Sequence, residues 1–180
     1  RGCSKKMIIE KWDILDEQGL PTGKTTLRGK NLLKNGEYHL VVHIWIISAD
    51  GKILLQKRSD NKRLMPGEWA ATGGAAVAGE DSFAAASREL YEELGIKRSR
   101  DKMQRAFRLK RRNSLVDVWF TQFDSNSDQL TLQKDEVAEV KWANLDDLES
   151  MIKDGRYHNY GNEYFSRVFD KIESLKGAYV

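Results

Sequence analysis

The sequence predicts an α/β (α+β) fold: one domain, a mixed β-sheet and helices on both of its faces. Three observations predict it. A pair of apolar strands brackets an Asp-Gly turn, a helix with a single apolar stripe follows in the middle of the chain, and strand and helix patterns then continue without a repeat, a low-complexity tract or a linker. The chain is 180 residues long, 40% hydrophobic and 32% charged, with two prolines. That is enough apolar surface for one core, and it excludes a disordered chain.

The elements follow in order. Trp12-Asp13-Ile14-Leu15 reads as a strand entering the turn Asp16-Glu17-Gln18-Gly19, with a return strand over 25–27, which makes an N-terminal β-hairpin. His39 to Ile47 is β-branched and apolar; Ser48-Ala49-Asp50-Gly51 supplies the turn, and 52–58 the partner strand. Pro66-Gly67 marks a loop and Gly73-Gly74 a tight turn. A helix is predicted over 80–94, with Phe83, Ala86, Leu90 and Leu94 on one stripe and Gly95 closing it. Strands are expected at 106–109, 116–123 and 138–143, and helices at 146–153 and 163–176. Trp45, Trp69, Trp119 and Trp142 fall mostly on strand patterns, which makes most of them core and leaves one free to stack on a nucleobase.

Cys3 has no partner for an internal disulfide, and the longest apolar run, 41–47, is interrupted by His43 and too short to span a bilayer. A cytoplasmic protein with no membrane contact is therefore expected. The start at Arg1, with Met7 following, leads us to expect residues 1–6 to be an added remnant, and they stay outside the fold argument. Nine basic residues between Lys97 and Arg112 stand against Asp101 alone. Two readings stay open for this segment: a solvated face, or an attractor of polyanions, with nucleic acid the less expected of these. Assembly as a homodimer also stays open.

Within the predicted helix, Glu89, Glu92 and Glu93 stand at i, i+3 and i+4, which puts three carboxylates on one face where they repel one another. Alone, the cluster reads as a solvated acidic face. The wider spacing argues otherwise: Gly74, five residues, Glu80, seven residues, then Arg88-Glu89-Leu90-Tyr91-Glu92-Glu93-Leu94-Gly95-Ile96. This resembles the Nudix box, with no position missing. Its seven fixed residues and two apolar positions would arise by chance with a probability on the order of 10⁻⁹ per start site, so coincidence is no competitor.

The resemblance implies a Nudix-type α/β/α sandwich over 1–180, with the catalytic helix in a loop-helix-loop, and Mg²⁺-dependent hydrolysis of a diphosphate linkage, Mn²⁺ being the alternative ion. A diphosphate repels an attacking hydroxide, so a hard cation on carboxylates suits that chemistry. It implies Glu92 and Glu93 as principal metal ligands, Glu89 as a ligand or the base that activates water, Arg88 as its orienting partner, and Glu80 as a peripheral metal carboxylate. Gly73 and Gly74 would bring backbone close to the substrate. A further carboxylate is expected from outside the box, Glu136 in preference to Glu139.

Between His39 and Trp69 the chain also resembles the isopentenyl-diphosphate isomerase branch of the superfamily, through His39, Trp45, Gly51, Leu54, Arg58, Lys62 and Pro66-Gly67-x-Trp69. Arg58 and Lys62 are thereby implied as diphosphate ligands. The isomerase's cysteine, followed by Gly-His, is missing: this chain reads Thr72-Gly73-Gly74-Ala75-Ala76. Isomerase activity is not expected, and His39 reads better as a strand histidine than as a metal ligand.

Overall fold

The computed structural model describes residues 10–29, 33–124 and 129–177, with side chains to residue 175. Cys3 and residues 1–6, read from the sequence as a remnant, lie outside the described residues. Strands β1 (Lys11–Leu15) and β2 (Pro21–Leu27) form the N-terminal hairpin. Its turn is built by Asp16, whose Oδ1 accepts from the amides of Gln18 and Leu20 at 2.9 Å. The return strand starts four residues before the expected 25; its Pro-Thr-Gly-Lys composition and exposed positions hide it from an apolar-alternation reading.

The main sheet has seven strands. Strand β3 (His39–Ile47) runs parallel to β8 (Ser114–Gln122), in register from His39 opposite Ser114 to Ile47 opposite Gln122. The remaining pairs are antiparallel: β4 (Ile53–Arg58) with β3, with β5 (Trp69–Ala70) and with β9 (Val137–Ala143); β6 (Thr72–Ala75) with β3; and β7 (Met103–Lys110) with β8. Strand β3 is apolar on both sides because both are covered. Val42, Ile44 and Ile46 pack beneath Ala86, Leu90 and Leu94 of helix α1 (Ser82–Leu94). Trp45 and Ile47 face helices α2 (Leu145–Lys153) and α3 (Asn162–Gly177), among Leu148, Met151, Tyr164 and Val168. The mixed-sheet sandwich is as expected.

Helix α1 starts two residues after the expected 80, because Asp81 takes the cap: its Oδ1 accepts from the Ala84 amide at 2.7 Å. Gly95, at φ 72°, closes it with its amide on the Tyr91 carbonyl. The Gly73-Gly74 turn is corrected: both residues lie in β6, flat against β3. Gly73 is demanded by that approach, since at φ 143° an added Cβ would meet the Val42 carbonyl oxygen at 2.0 Å. The two-residue β5 carries too few residues for a periodic signal and was not expected. No helix among the described residues is long and apolar enough to cross a membrane.

Several basic residues of the segment 97–112 pair with other elements of the fold, although most of them stay exposed. Arg105 and Arg108 pair with Asp117, which is fully buried on β8 and whose carboxyl Arg108 and its neighbours hold below the usual range against the cost of burial. Arg100 pairs with Asp81, Lys110 with Glu17, and Arg111 donates to the Tyr160 carbonyl.

Candidate active site

One groove of about 590 Å³ gathers most of the singled-out residues. Helix α1 forms one wall with Arg88, Glu89, Glu92 and Glu93; the end of β4 and the loop after it form another with Arg58, Lys62 and Arg63; Glu136, just before β9, closes the end. Glu139 lies on β9 opposite Lys57 and does not line the groove, so of the two candidates the fold brings only Glu136 there. Lys62 forms an ion pair with Glu136, both side chains being about a quarter exposed. Arg58 is fixed by its Nε, which donates to the Leu64 carbonyl at 3.1 Å.

The three helix carboxylates, equivalent by spacing, are set apart by their surroundings. Glu93 points inward and is 3% exposed; the Gln56 amide nitrogen and the Gly73 amide both donate to its Oε2, at 3.0 and 3.2 Å. No cation neutralises it among the described residues, and burial pushes its carboxyl up to about 8, with the neighbouring Glu89 charge adding to the effect. Glu89 is raised as well, chiefly by burial and against the pull of Arg88. Glu92 is half exposed.

Arg88 organises this wall. Its guanidinium takes both oxygens of Glu80 (2.7 and 3.0 Å), Glu89 Oε1 (2.9 Å) and Glu92 Oε2 (3.0 Å), and also reaches the Ala75 carbonyl. Glu80, which also accepts from the Val77 amide, turns away from the groove toward a second cavity lined by Arg100, Arg105, Arg108 and Trp119. The fold therefore does not bring Glu80 beside Glu93, nor does the basic segment reach this groove. Held on Arg88, the carboxylates are spread, and among the described residues no three His, Cys, Asp or Glu side chains converge on one point.

The two glycines serve the carboxylates. The Gly73 amide is bonded to Glu93, and a Cβ on Gly74 would meet Glu89 Oε1 at 2.5 Å, so its absence makes the room Glu89 occupies. His43 lies on the floor, bonded through Nδ1 to the Tyr164 hydroxyl, and burial lowers it to about 3, so it adds no charge. His39 is a strand histidine: it stacks on Trp12 at 4.2 Å and its Nδ1 donates to the Asn113 carbonyl. Trp45 and Trp119 are buried in the core, as expected. The tryptophan that lines the groove is Trp12, with Arg28 beside it. Both were missed, along with Arg63, because the hairpin reaches the groove only through its docking: Leu15 bridges to Tyr38, and the Ala78 amide donates to the Lys11 carbonyl.

A buried carboxylate without a cationic partner among the described residues, beside further carboxylates, is a donor set that fits a hard divalent cation. Comparison with known proteins agrees. The NUDIX domain family matches residues 37–162. An uncharacterised Nudix hydrolase of Listeria monocytogenes is 38% identical over 153 residues, covering 84% of this chain and 90% of the relative. An isopentenyl-diphosphate Delta-isomerase of Pectobacterium atrosepticum is 26% identical over 169 residues, 91% and 93% of the two chains, in line with the resemblance around His39 to Trp69. The solved structure of DR0079 from Deinococcus radiodurans superposes with a TM-score of 0.71 at 21% identity, covering 83% of this chain and 93% of that one. Nudix hydrolases generally use divalent metal ions, and a complete box, its helix and the sandwich that holds it are all present here: the chain belongs to the Nudix hydrolase family.

Proposed function

We propose that this protein hydrolyses the diphosphate linkage of a nucleoside diphosphate derivative with Mg²⁺, Mn²⁺ substituting for it, by attack of water on phosphorus to give a mononucleotide and a phosphorylated remainder. The observation that carries the reading is a single groove with a carboxylate wall (Glu89, Glu92, Glu93, Glu136) facing a cationic loop (Arg58, Lys62, Arg63). Carboxylates suit the cation, and guanidinium and ammonium groups suit the phosphates.

Glu92 and Glu93 are the proposed principal ligands, with Glu89 and Glu136 completing the set and Glu80 at most peripheral. Bound there, the cation would screen the phosphate oxygens and lower the pKa of water. Glu89 is the proposed base: burial raises its carboxyl toward neutrality, the direction that makes a carboxylate a better proton acceptor, and Arg88 fixes which oxygen faces the groove. Arg58 and Lys62 bind the diphosphate, Lys62 exchanging Glu136 for phosphate. Gly73 and Gly74 act by shaping the wall. Trp12 and Arg28 offer a planar, cationic edge to the substrate's appended group.

A panel of nucleotide sugars, dinucleoside polyphosphates, coenzymes and nucleoside di- and triphosphates, assayed with Mg²⁺ for released mononucleotide and phosphate, tests this. Turnover of at least one diphosphate compound is expected. Tight binding of such compounds with no turnover under any divalent ion would replace the reading with that of a nucleotide-binding module.

A further inference from the structure

Glu93 is gripped by more than the helix that carries it. Thr72 on β6 donates its hydroxyl to Gln56 Oε1 at 2.8 Å, and Gln56 on β4 donates its Nε2 to Glu93 Oε2 at 3.0 Å. All three side chains are buried, at 2%, 1% and 3% exposure. The Gly73 amide donates to the same Oε2. Two donors thus converge on one carboxylate oxygen, and Oε1 has no donor among the described residues.

The sense of this chain follows from elementary inventory. Bound to a cation, Glu93 is an ionised carboxylate that only accepts, so the Gln56 amide presents its NH₂ to Glu93 and its carbonyl to Thr72, whose hydroxyl is left as the donor. A hydroxyl serves here where a methyl of equal size would leave a buried carbonyl without a partner. Gln56 itself does not line the groove. Its hydrogen bond to the groove is the one to Glu93.

We propose that Gln56, anchored by Thr72, is a positioning residue that holds Glu93 by Oε2 and turns Oε1 toward the cation. The proposal rests on the reading of Glu93 as a metal ligand. Outer partners of this kind fix the orientation of a ligand before the metal arrives, and their loss lowers metal affinity about 10–100-fold. Gln56→Met keeps the volume and removes the donor; Thr72→Val removes only the anchor; Thr72→Ser keeps it.

The test is direct Mn²⁺ binding to the 180-residue chain, followed by electron paramagnetic resonance without substrate, with the melting temperature recorded for each variant. Glu93→Gln is expected to abolish the tight site, Gln56→Met to weaken it about tenfold or more, Thr72→Val several-fold, and Thr72→Ser to match wild type. Wild-type Mn²⁺ affinity in Gln56→Met and Thr72→Val, with the site lost in Glu93→Gln, would overturn the positioning role and leave the metal reading standing. Wild-type affinity in Glu93→Gln would overturn the metal reading and this role with it. Should Gln56→Met fail to fold, the contrast between Thr72→Val and Thr72→Ser decides the matter alone.

Discussion

Glu93→Gln in metal-free protein should raise stability while ending catalysis, and the gain should grow with pH. Glutamine keeps the side chain's length, and its carbonyl can still accept from Gln56 and Gly73 in place of Oε2. It also removes the charge that repels Glu89 in wild type. The folded-state value of Glu93, about 8, lies above the carboxylate value of 4.5, so the folded chain holds the proton more tightly. That contribution is fully present below about 4.5 and is lost as pH rises through about 8. Moving a carboxyl that far is worth at most about 5 kcal/mol. At roughly 2–4 °C per kcal/mol for a chain of this size, Glu93→Gln should melt close to wild type at pH 5 and higher at pH 9, by at most about 10–20 °C. Calorimetry in chelator across that range reads it, and kcat with Mg²⁺ should fall about 10²-fold or more. A melting difference that does not change with pH would refute the electrostatic account of Glu93, and an unchanged kcat would remove it from the mechanism.

Gly74→Ala should fold and lose activity, because its Cβ would press on Glu89 Oε1, the flexible end of a side chain; Gly73→Ala should be destabilised by several kcal/mol, since there the obstacle is the backbone of Val42. Melting and kcat on the two variants check the contrast, which equal behaviour would contradict. Arg88→Ala removes the common partner of Glu80 and Glu89, both mostly buried, and should cost about 3 kcal/mol, lowering the Tm by roughly 6–12 °C, and reduce kcat as well. An unaltered Tm would deny Arg88 its organising role. Neutralising Arg58 and Arg63 together should raise KM and flatten its salt dependence, whereas Arg108→Met should leave KM unchanged and lower the Tm, because it strips buried Asp117 of its bidentate partner.

Much of this was legible in the sequence, for stated physical reasons. The apolar run 39–47, the Asp-Gly turn and the stripe on α1 each carry a strong local period, and they form the elements expected of them. The box fixes Glu89, Glu92 and Glu93 on one helix face by spacing alone. What spacing cannot give is how that face meets the sheet. Burial separates Glu93 from Glu92 through Gln56 and Gly73, which come from other strands, and Glu80 lines a different cavity. Gly73-Gly74 looks like a turn because turns and close backbone approach favour the same residue, and only the neighbouring Val42 distinguishes the two. The charge run 97–112 left a solvated face and a polyanion attractor both open, and its partners Asp81 and Asp117 lie on other elements, which no local pattern shows. Trp12 and Arg28 reach the groove through the docking of the hairpin, which no local pattern encodes.

The central claim is that this groove directs water onto phosphorus. Turnover of an accepted diphosphate substrate in heavy-oxygen water, with the products weighed by mass spectrometry, tests it most directly. The account requires the heavy oxygen in a phosphoryl group of one product, incorporation that ceases in chelator and returns with Mg²⁺. Heavy oxygen found only on a carbon-bound hydroxyl, or undiminished incorporation after exhaustive chelation, would contradict it.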